Sequence, residues 1–482
     1  MKRGNLSAGE ESVKLTVSSV TASGYQAGNP PANTLDADLR TMWSADGNGQ
    51  WITFDLGTAK RIRLVQIATY RGNERKAQLD IQVSSNRTAW ATVYSGQSSG
   101  TTTGLERYDF PDVTARYVRI VGHGNTSNTW NSLTEVEIYV VGTRRSPDLF
   151  DPESIRAKMK NVFDYQLTNM RPEWVNRGSP RFWIGAVFYT GVMAAYWATL
   201  DQEYLDEALR WGAQNAWQPG SRQRHADDHC ACQTYLEVYF EERDWRMKQA
   251  CQATMDNMVA NELPGRQDWS WADALYMAPP ILPRLYKATK DAQYTEYLHR
   301  VWWDAVDFLY DAQYSLFYRD DIARGKKTAS GQKVFWGRGN GWVMGGIVRV
   351  LQYLPANDPE RGQYEVLLRD MAAALKVRQG ADGLWRASLL DSAQFPAPET
   401  SSTGFFTYAL AWGINNGILN RKTYLPVVQK AWEGLSWATS DTGKVGWCQP
   451  AARGPGPTNA TSSYPYCSGA FLLAASEVIA LF

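Results

Sequence analysis

Asp273 sits in 269-WSWADALYMAPPILPRLY-286, a single carboxylate among aromatic and apolar neighbours where a helical pattern begins. Burial penalises the charged form, so a carboxylate placed there needs a partner or takes up a proton. A carboxyl held near neutral pH can give a proton and take it back, which is the property of a general acid or base. A second acid, Asp228, lies in 226-ADDHCACQTYLEVY-239, with Asp227 before it and His229 after it. Taken alone, Asp228 reads first as a helix N-cap, a position Asp fills well. In 335-FWGRGNGW-342, Arg338 stands among Trp336, Trp342 and glycines, where it can stack on an aromatic or bind a carboxylate. That segment lacks the Gly-Lys-Ser/Thr of a phosphate loop and follows no dinucleotide-type strand, so its glycines serve a close turn.

Composition narrows the chemistry. Lys+Arg 50 against Asp+Glu 49 gives a net charge of +1, and nothing in that balance points to nucleic acid as a partner. The 21 Trp and 25 Tyr suggest carbohydrate, because aromatic faces stack on the C–H faces of sugars, although most aromatics fill cores. Four His make a multi-histidine metal site a poor expectation, and the CxC at Cys230 and Cys232 beside His229 is a weak metal signal. Five Cys without CxxC pairs suggest neither a zinc module nor a disulfide scaffold. The sequence holds no apolar run that would span a bilayer, and the start MKRGNLSAGEESVK has no apolar signal core.

The elements that must position these residues fall into two regions. Residues 13 to about 142 alternate short Val/Ile/Thr/Tyr runs with Gly/Asn/Ser turns, which predicts an all-β sandwich. The polar, proline-bearing stretch 143-TRRSPDLFDPESI-155 is the expected boundary. We therefore expect a β-module at 1–142, a linker at 143–153 and a helical domain at 154–482. In the helical region, apolar small-residue helices begin near Ile184, Asp228, Asp273, Gly341, Thr403 and Ser468, and five of them are followed by amphipathic helices. Pairing the last with 153-ESIRAKMKNVFDYQL-167 makes a sixth hairpin and closes a ring. If the apolar helices form the inner layer in parallel, their N-termini converge at one end and favour an anionic ligand. Asp227, Asp228, His229, Trp271, Asp273, the FWGRGNGW segment and Glu399 to Gly404 then surround one cavity.

The segments ADDHCACQTYLEVY, WSWADALYMAPP, FWGRGNGW and ETSSTGFFTYALAWGINNG resemble the unsaturated glucuronyl and rhamnogalacturonyl hydrolases, glycoside hydrolase families 105 and 88. The resemblance covers residues 154 to 482 and implies an all-α (α/α)6 barrel, in agreement with the hairpin count. It places the two active-site acids on Asp228 and Asp273, and it aligns Trp271, Trp336 and Arg338 with a uronate subsite. His229 and Trp342 join the candidate substrate-binding set, His229 without a catalytic role because relatives differ there. The reaction implied removes a 4,5-unsaturated uronate from the non-reducing end of lyase-generated oligosaccharides by hydrating its enol-ether double bond, with no cofactor. Asp273 is then the acid/base, Asp228 positions hydroxyls or water, Arg338 pairs with the substrate carboxylate, and Trp271 and Trp336 stack on the ring.

NTLDADLRTMWSADGNGQWITFDLG, ARYVRIVG and SLTEVEIYV resemble discoidin-like (factor 5/8 type C) modules, which include family 32 carbohydrate-binding modules. The resemblance implies a jelly-roll sandwich and a structural calcium held by Asp36, Asp38, Thr41 and Glu135, although Asp-rich turns occur without a metal. Tyr70, Arg71, Trp130 and His123 are the candidate glycan contacts. A polysaccharide partner implies a secreted, periplasmic or cell-surface protein.

Three other readings stay open on the sequence. An inverting glycosidase needs two carboxylates about 6.5–9.5 Å apart across a glycosidic bond. A sugar epimerase is expected to use several histidines. A non-catalytic lectin would not need the Asp pair. Fold alone does not choose among them.

Overall fold

The computed structural model of the protein describes residues 10–143, 149–179, 181–264 and 266–482. Residues 1–9, in which no signal core is read, and 144–148 of the expected linker lie outside the described residues. The chain divides into two compact units, Met1–Ser146 and Pro147–Phe482.

The N-terminal unit is an antiparallel sheet of β1 (Glu10–Lys14), β2 (Ser19–Ala22), β3 (Trp43–Asp46), β4 (Gln50–Thr69), β5 (Ala77–Ser84), β6 (Ala91–Gln97), β7 (Glu106–Asn125) and β8 (Trp130–Thr143). The main path runs β1-β8-β4-β7-β5-β6, with β2 on β4 and β3 on β8. In β5, Leu79, Ile81 and Val83 are buried while Gln78, Asp80 and Gln82 are less so, the two-residue alternation of a strand with one face on a core. The long β4 breaks register between Asp55 and Lys60. Its first part therefore pairs with β2 and its second with β8, and both face a core of Ile52, Phe54, Ile67, Ile81, Ile120 and Ile138.

The helical unit is an (α/α)6 barrel. Its inner helices, among the described residues, are Phe182–Thr199, Ala231–Glu242, Ile281–Thr289, Gly337–Leu351, Thr400–Asn415 and Pro465–Val478. Pro152–Thr168, Gln202–Gln214, Arg246–Ala260, Gln293–Leu309, Arg361–Lys376 and Arg421–Ala438 form the outer layer. An inner helix such as Phe182–Thr199 is buried along most of its length. An outer one such as Gln202–Gln214 buries Tyr204, Leu205, Ala208 and Trp211 in a stripe of helical spacing, and Asp201 caps it through Glu203 N. The third inner helix is interrupted. Pro279 and Pro280 separate a short Ala274–Met277 turn from Ile281–Thr289.

The ring closes where Pro465–Val478 packs on Phe182–Thr199 and on Pro152–Thr168. Gly191 and Gly469 meet there; a Cβ on Gly191 would lie 2.5 Å from the Gly469 carbonyl oxygen, so only glycine permits that approach. The cysteines depart from the sequence reading: Cys232 pairs with Cys251 and Cys448 with Cys467, and Cys230 is free and buried. Spacing alone did not disclose them, because each pair joins a helix to a segment 19 residues away.

Candidate active site

Asp227 lies on the one-turn helix Ala226–His229, and Asp273 is the N-cap of Ala274–Met277. Both face one cavity of about 460 Å³, together with Trp183, Trp271, His225, Arg222, Arg319 and Arg453. Arg319 Nε donates to Asp273 Oδ2 at 3.1 Å and its Nη1 donates to Asp320 at 2.7 Å. The Arg319 carbonyl also accepts from Ala272 N at 2.8 Å, which fixes the two segments to each other. Burial raises the Asp273 pKa and the positive charge of Arg319 opposes that rise. Asp227 has His225 Nδ1 at 3.7 Å, and burial together with the charge on Asp273 pushes its pKa up to about 7.

The structure places Asp228 elsewhere. Its carboxylate accepts from Arg222 N (2.7 Å), Nε (3.1 Å) and Nη2 (2.6 Å), and it does not line the cavity. Successive helical residues point about 100° apart, so when one Asp of the pair faces its own loop the other faces the barrel mouth. Asp228 thus shapes the 220–229 loop, and Asp227 presents the carboxyl.

Arg338 is likewise engaged inside the protein. It is 1% exposed, donates to the carbonyls of Gln449 (2.6 Å) and Pro450 (2.8 Å), and stacks over Trp336 and Tyr466. Trp336 donates Nε1 to Gln449 Oε1 at 2.8 Å and borders an adjoining compartment that shares Arg319 and Arg453 with the main cavity. Glu399 caps Thr400–Asn415 through Ser401 N and Ser402 N and also accepts from Gln449 N at 3.2 Å. Trp336, Arg338 and Glu399 therefore hold the 449–453 segment that carries Arg453 to the cavity. Trp342 is fully buried against Phe405, Tyr276 and Trp183. His229 is buried, its Nε2 lies 3.0 Å from the carbonyl of Gln223, and burial lowers its pKa to about 4.

Of the residues expected around the cavity, Asp227, Asp273 and Trp271 line it. Arg222, His225, Arg319 and Arg453 also line it and were not singled out; they sit on loops, where no periodicity marks them.

In the N-terminal unit, Asp36 Oδ2 accepts from Thr41 Oγ1 at 2.6 Å, and Glu135 Oε2 accepts from Ala37 N at 3.0 Å. Asp38 departs from the expected ligand set, because Arg40 binds its carboxylate through Nε (2.8 Å) and Nη2 (2.7 Å). No group of three or more His, Cys, Asp or Glu gathers among the described residues. Tyr70 is 42% exposed with the Arg75 guanidinium over its ring. Arg71 pairs with Glu74, and Trp130 opens β8 opposite Asp46. His123 is held between Asn48 (2.7 Å) and Asp80 (3.1 Å).

Acid pairs at the mouth of such a barrel are the apparatus of glycoside hydrolases, and comparison with known proteins agrees. The chain belongs to glycosyl hydrolase family 88, whose model matches residues 152–482, while residues 14–136 match the F5/8 type C domain. An unsaturated 3S-rhamnoglycuronyl hydrolase of Alteromonas sp. (strain LOR) is 36% identical over 350 residues, 68% of this chain and 80% of the relative. One of the same name from Formosa agariphila is 34% identical over 355 residues, 68% of this chain and 91% of the relative. A solved structure described as a polysaccharide lyase has 36% identity and a TM-score of 0.63 over 68% of this chain and 97% of its own.

Proposed function

We propose that this glycoside hydrolase removes a 4,5-unsaturated uronate from the non-reducing end of lyase-generated oligosaccharides by adding water across the C4=C5 bond. The observation that carries this reading is the pairing of Asp227 and Asp273 in one tryptophan- and arginine-lined cavity. Two nearby carboxylates resist ionising together, so the pair keeps one proton near neutral pH. Asp273, the less exposed of the two, delivers that proton to C4. Positive charge develops at C5 and the ring oxygen, and water adds at C5 while its proton returns to Asp273. The resulting hemiketal opens, releasing the aglycone sugar and a keto-acid. Arg453 is exposed and has no side-chain ion pair with any described residue, which leaves it free for the substrate carboxylate. Trp271 offers a face to the flat unsaturated ring.

Ultraviolet absorbance tests this directly. Hydration removes the enol-ether chromophore of lyase products and leaves saturated uronides untouched. The likeness to a structure described as a lyase favours one other outcome, elimination, in which saturated chains would gain that absorbance.

The N-terminal unit fits a carbohydrate-binding role with a structural calcium. Asp36, Thr41 and Glu135 present oxygen donors only, the donor type a calcium ion takes, and Glu135 is 5% exposed. Bound calcium would supply cross-linking of the 36–41 loop to β8 and no chemistry. Two disulfides support an oxidising compartment outside the cytosol, and no described helix is long and apolar enough to cross a membrane.

A further inference from the structure

One face of the N-terminal sheet gathers arginines and aromatic rings away from the loops. Ile52, Phe54, Val118 and Ile120 belong to the core, so the residues alternating with them, Trp51, Thr53 and Asp55 on β4 and Tyr117 and Arg119 on β7, share the opposite face. Thr53 stands opposite Arg119 on one side and opposite Thr21 of β2 on the other. Arg119 donates Nε to Thr53 Oγ1 at 3.1 Å, and its guanidinium lies 4.5 Å from the ring centre of Trp51 and 3.7 Å from that of Trp90. Arg87 donates Nη2 to Thr21 Oγ1 at 3.2 Å and, like Arg116, lies 5.1 Å from the ring centre of Tyr117. The Arg87 carbonyl accepts from Trp90 Nε1 at 3.1 Å, which ties the two arginine supports together.

Acids on this face do not balance the arginines. Arg116 takes both oxygens of Asp55, at 2.9 and 3.0 Å. Asp80, further along the same face on β5, is held by Ser95 and His123. Arg87 and Arg119 have no carboxylate partner among the described residues. Because Thr21 and Thr53 are cross-strand neighbours about 5 Å apart, the two guanidiniums that bind them stand close together, and the charge of Arg87 adds to burial in lowering the Arg119 pKa. Like charges held side by side on threonine, indole and phenol repel until an anion joins them. Both groups are also open to one. Arg87 is exposed, and neither Nη1 nor Nη2 of Arg119 is a buried, unpartnered atom, so their remaining N–H groups face solvent in the planar fork that suits a carboxylate or a sulfate. The chain's own substrate, a uronate polymer in the reading above, carries such anions at intervals, and a face spanning several strands suits an extended chain where a loop pocket suits a chain end.

We propose that this sheet face binds an acidic polysaccharide, with Arg87 and Arg119 taking carboxylate or sulfate groups along one chain, apart from the loop residues Tyr70, Arg71, Trp130 and His123. The choice of polymer rests on the uronate hydrolase reading. The test is native affinity electrophoresis of the full chain through gels holding sodium polygalacturonate, dextran sulfate or neutral dextran, each compared with a polymer-free gel. Retardation is expected from polygalacturonate, weakening with added salt, and none from neutral dextran; retardation by dextran sulfate alone would assign the face to sulfate esters. The apparent Kd should rise about tenfold in Arg87→Gln, as loss of a charge-assisted hydrogen bond implies, and further in Arg87→Gln with Arg119→Gln. It should stay near wild type in Arg87→Lys and in Arg246→Gln, which removes the same charge from the helical unit. Arg87 is exposed, so its substitution leaves the core intact. Turnover of a lyase-generated disaccharide should be equal in all variants, and its absence from wild type would sink the hydrolase reading while the retardation result stands. Passage unretarded by both acidic polymers, retardation unchanged in the double variant, or tighter binding of a DNA duplex than of either polymer would overturn the proposal.

Discussion

Arg319 donates one hydrogen bond, Nε to Oδ2 at 3.1 Å, to Asp273, and the second acid of the cavity, Asp227, receives no comparable partner among the described residues. One guanidinium thus divides two carboxyls a single pocket would otherwise treat alike. Burial raises the Asp273 carboxyl and Arg319 opposes that rise, whereas Asp227 is driven up to about 7 by burial and by its neighbour's charge.

Kinetics of single substitutions should separate the three acids. Asp273→Asn is expected to lower kcat by about a hundred- to ten-thousandfold, the usual loss of a general acid or base, with KM little changed. Asp228→Asn weakens the Arg222 contacts outside the cavity, so its expected effect is a lower melting temperature and a smaller kinetic loss, rescued in part by Glu. A kcat deficit in Asp228→Asn equal to that of Asp273→Asn would show that Asp228 reaches substrate.

The acid pair must hold a proton to act, so kcat/KM is expected to fall as pH rises through about 7. A carboxyl whose folded pKa lies above its unfolded value favours the fold at low pH and costs stability as pH rises toward that folded value. Asp227→Asn should therefore raise stability above pH 7, by on the order of 2–4 kcal/mol at most, and leave it unchanged near pH 4. Calorimetry at the two pH values checks this.

Arg453 and Arg338 should fail differently. Arg453→Gln removes a free cation from the cavity, and KM is expected to rise about tenfold or more with kcat nearly kept. Arg338→Ala leaves the Pro450 carbonyl without its Arg338 donor and the Gln449 carbonyl with the Tyr466 hydroxyl alone, so melting temperature, kcat and KM should all suffer. Steady-state rates and thermal melts of both variants decide.

Calcium chelation is expected to lower the melting transition of the N-terminal unit within the full chain by roughly 5 °C, with hydrolytic activity retained. Glu135→Gln should abolish the shift. Asp38→Asn should preserve it, because Asp38 is held by Arg40.

Much of this was legible in the sequence. The inner helices announce themselves by being apolar all round and rich in small residues, and the lone acid of WSWADALYM lines the cavity where the reading put it. Which of Asp227 and Asp228 lines the cavity was not legible. Arg222 holds the Asp228 carboxylate in its own loop, and its reach across six positions follows no helical or strand period. Arg319 and Arg453 were hidden for the same reason: both arrive on irregular segments whose course is set by tertiary contacts such as Gln449 with Glu399. An arginine among tryptophans has two equally good uses, and the donations of Arg338 to the carbonyls of Gln449 and Pro450 are tertiary contacts the sequence does not display.

The contact of Gly191 with Gly469 also bears on how the protein is made. The first inner helix finds its last neighbour only when the final helix, Pro465–Val478, has left the ribosome. Until then its apolar side, together with that of Pro152–Thr168, stays open while nearly three hundred residues are translated. The β-module can finish folding early. The barrel cannot, because its ring stays unclosed until the last inner helix is made.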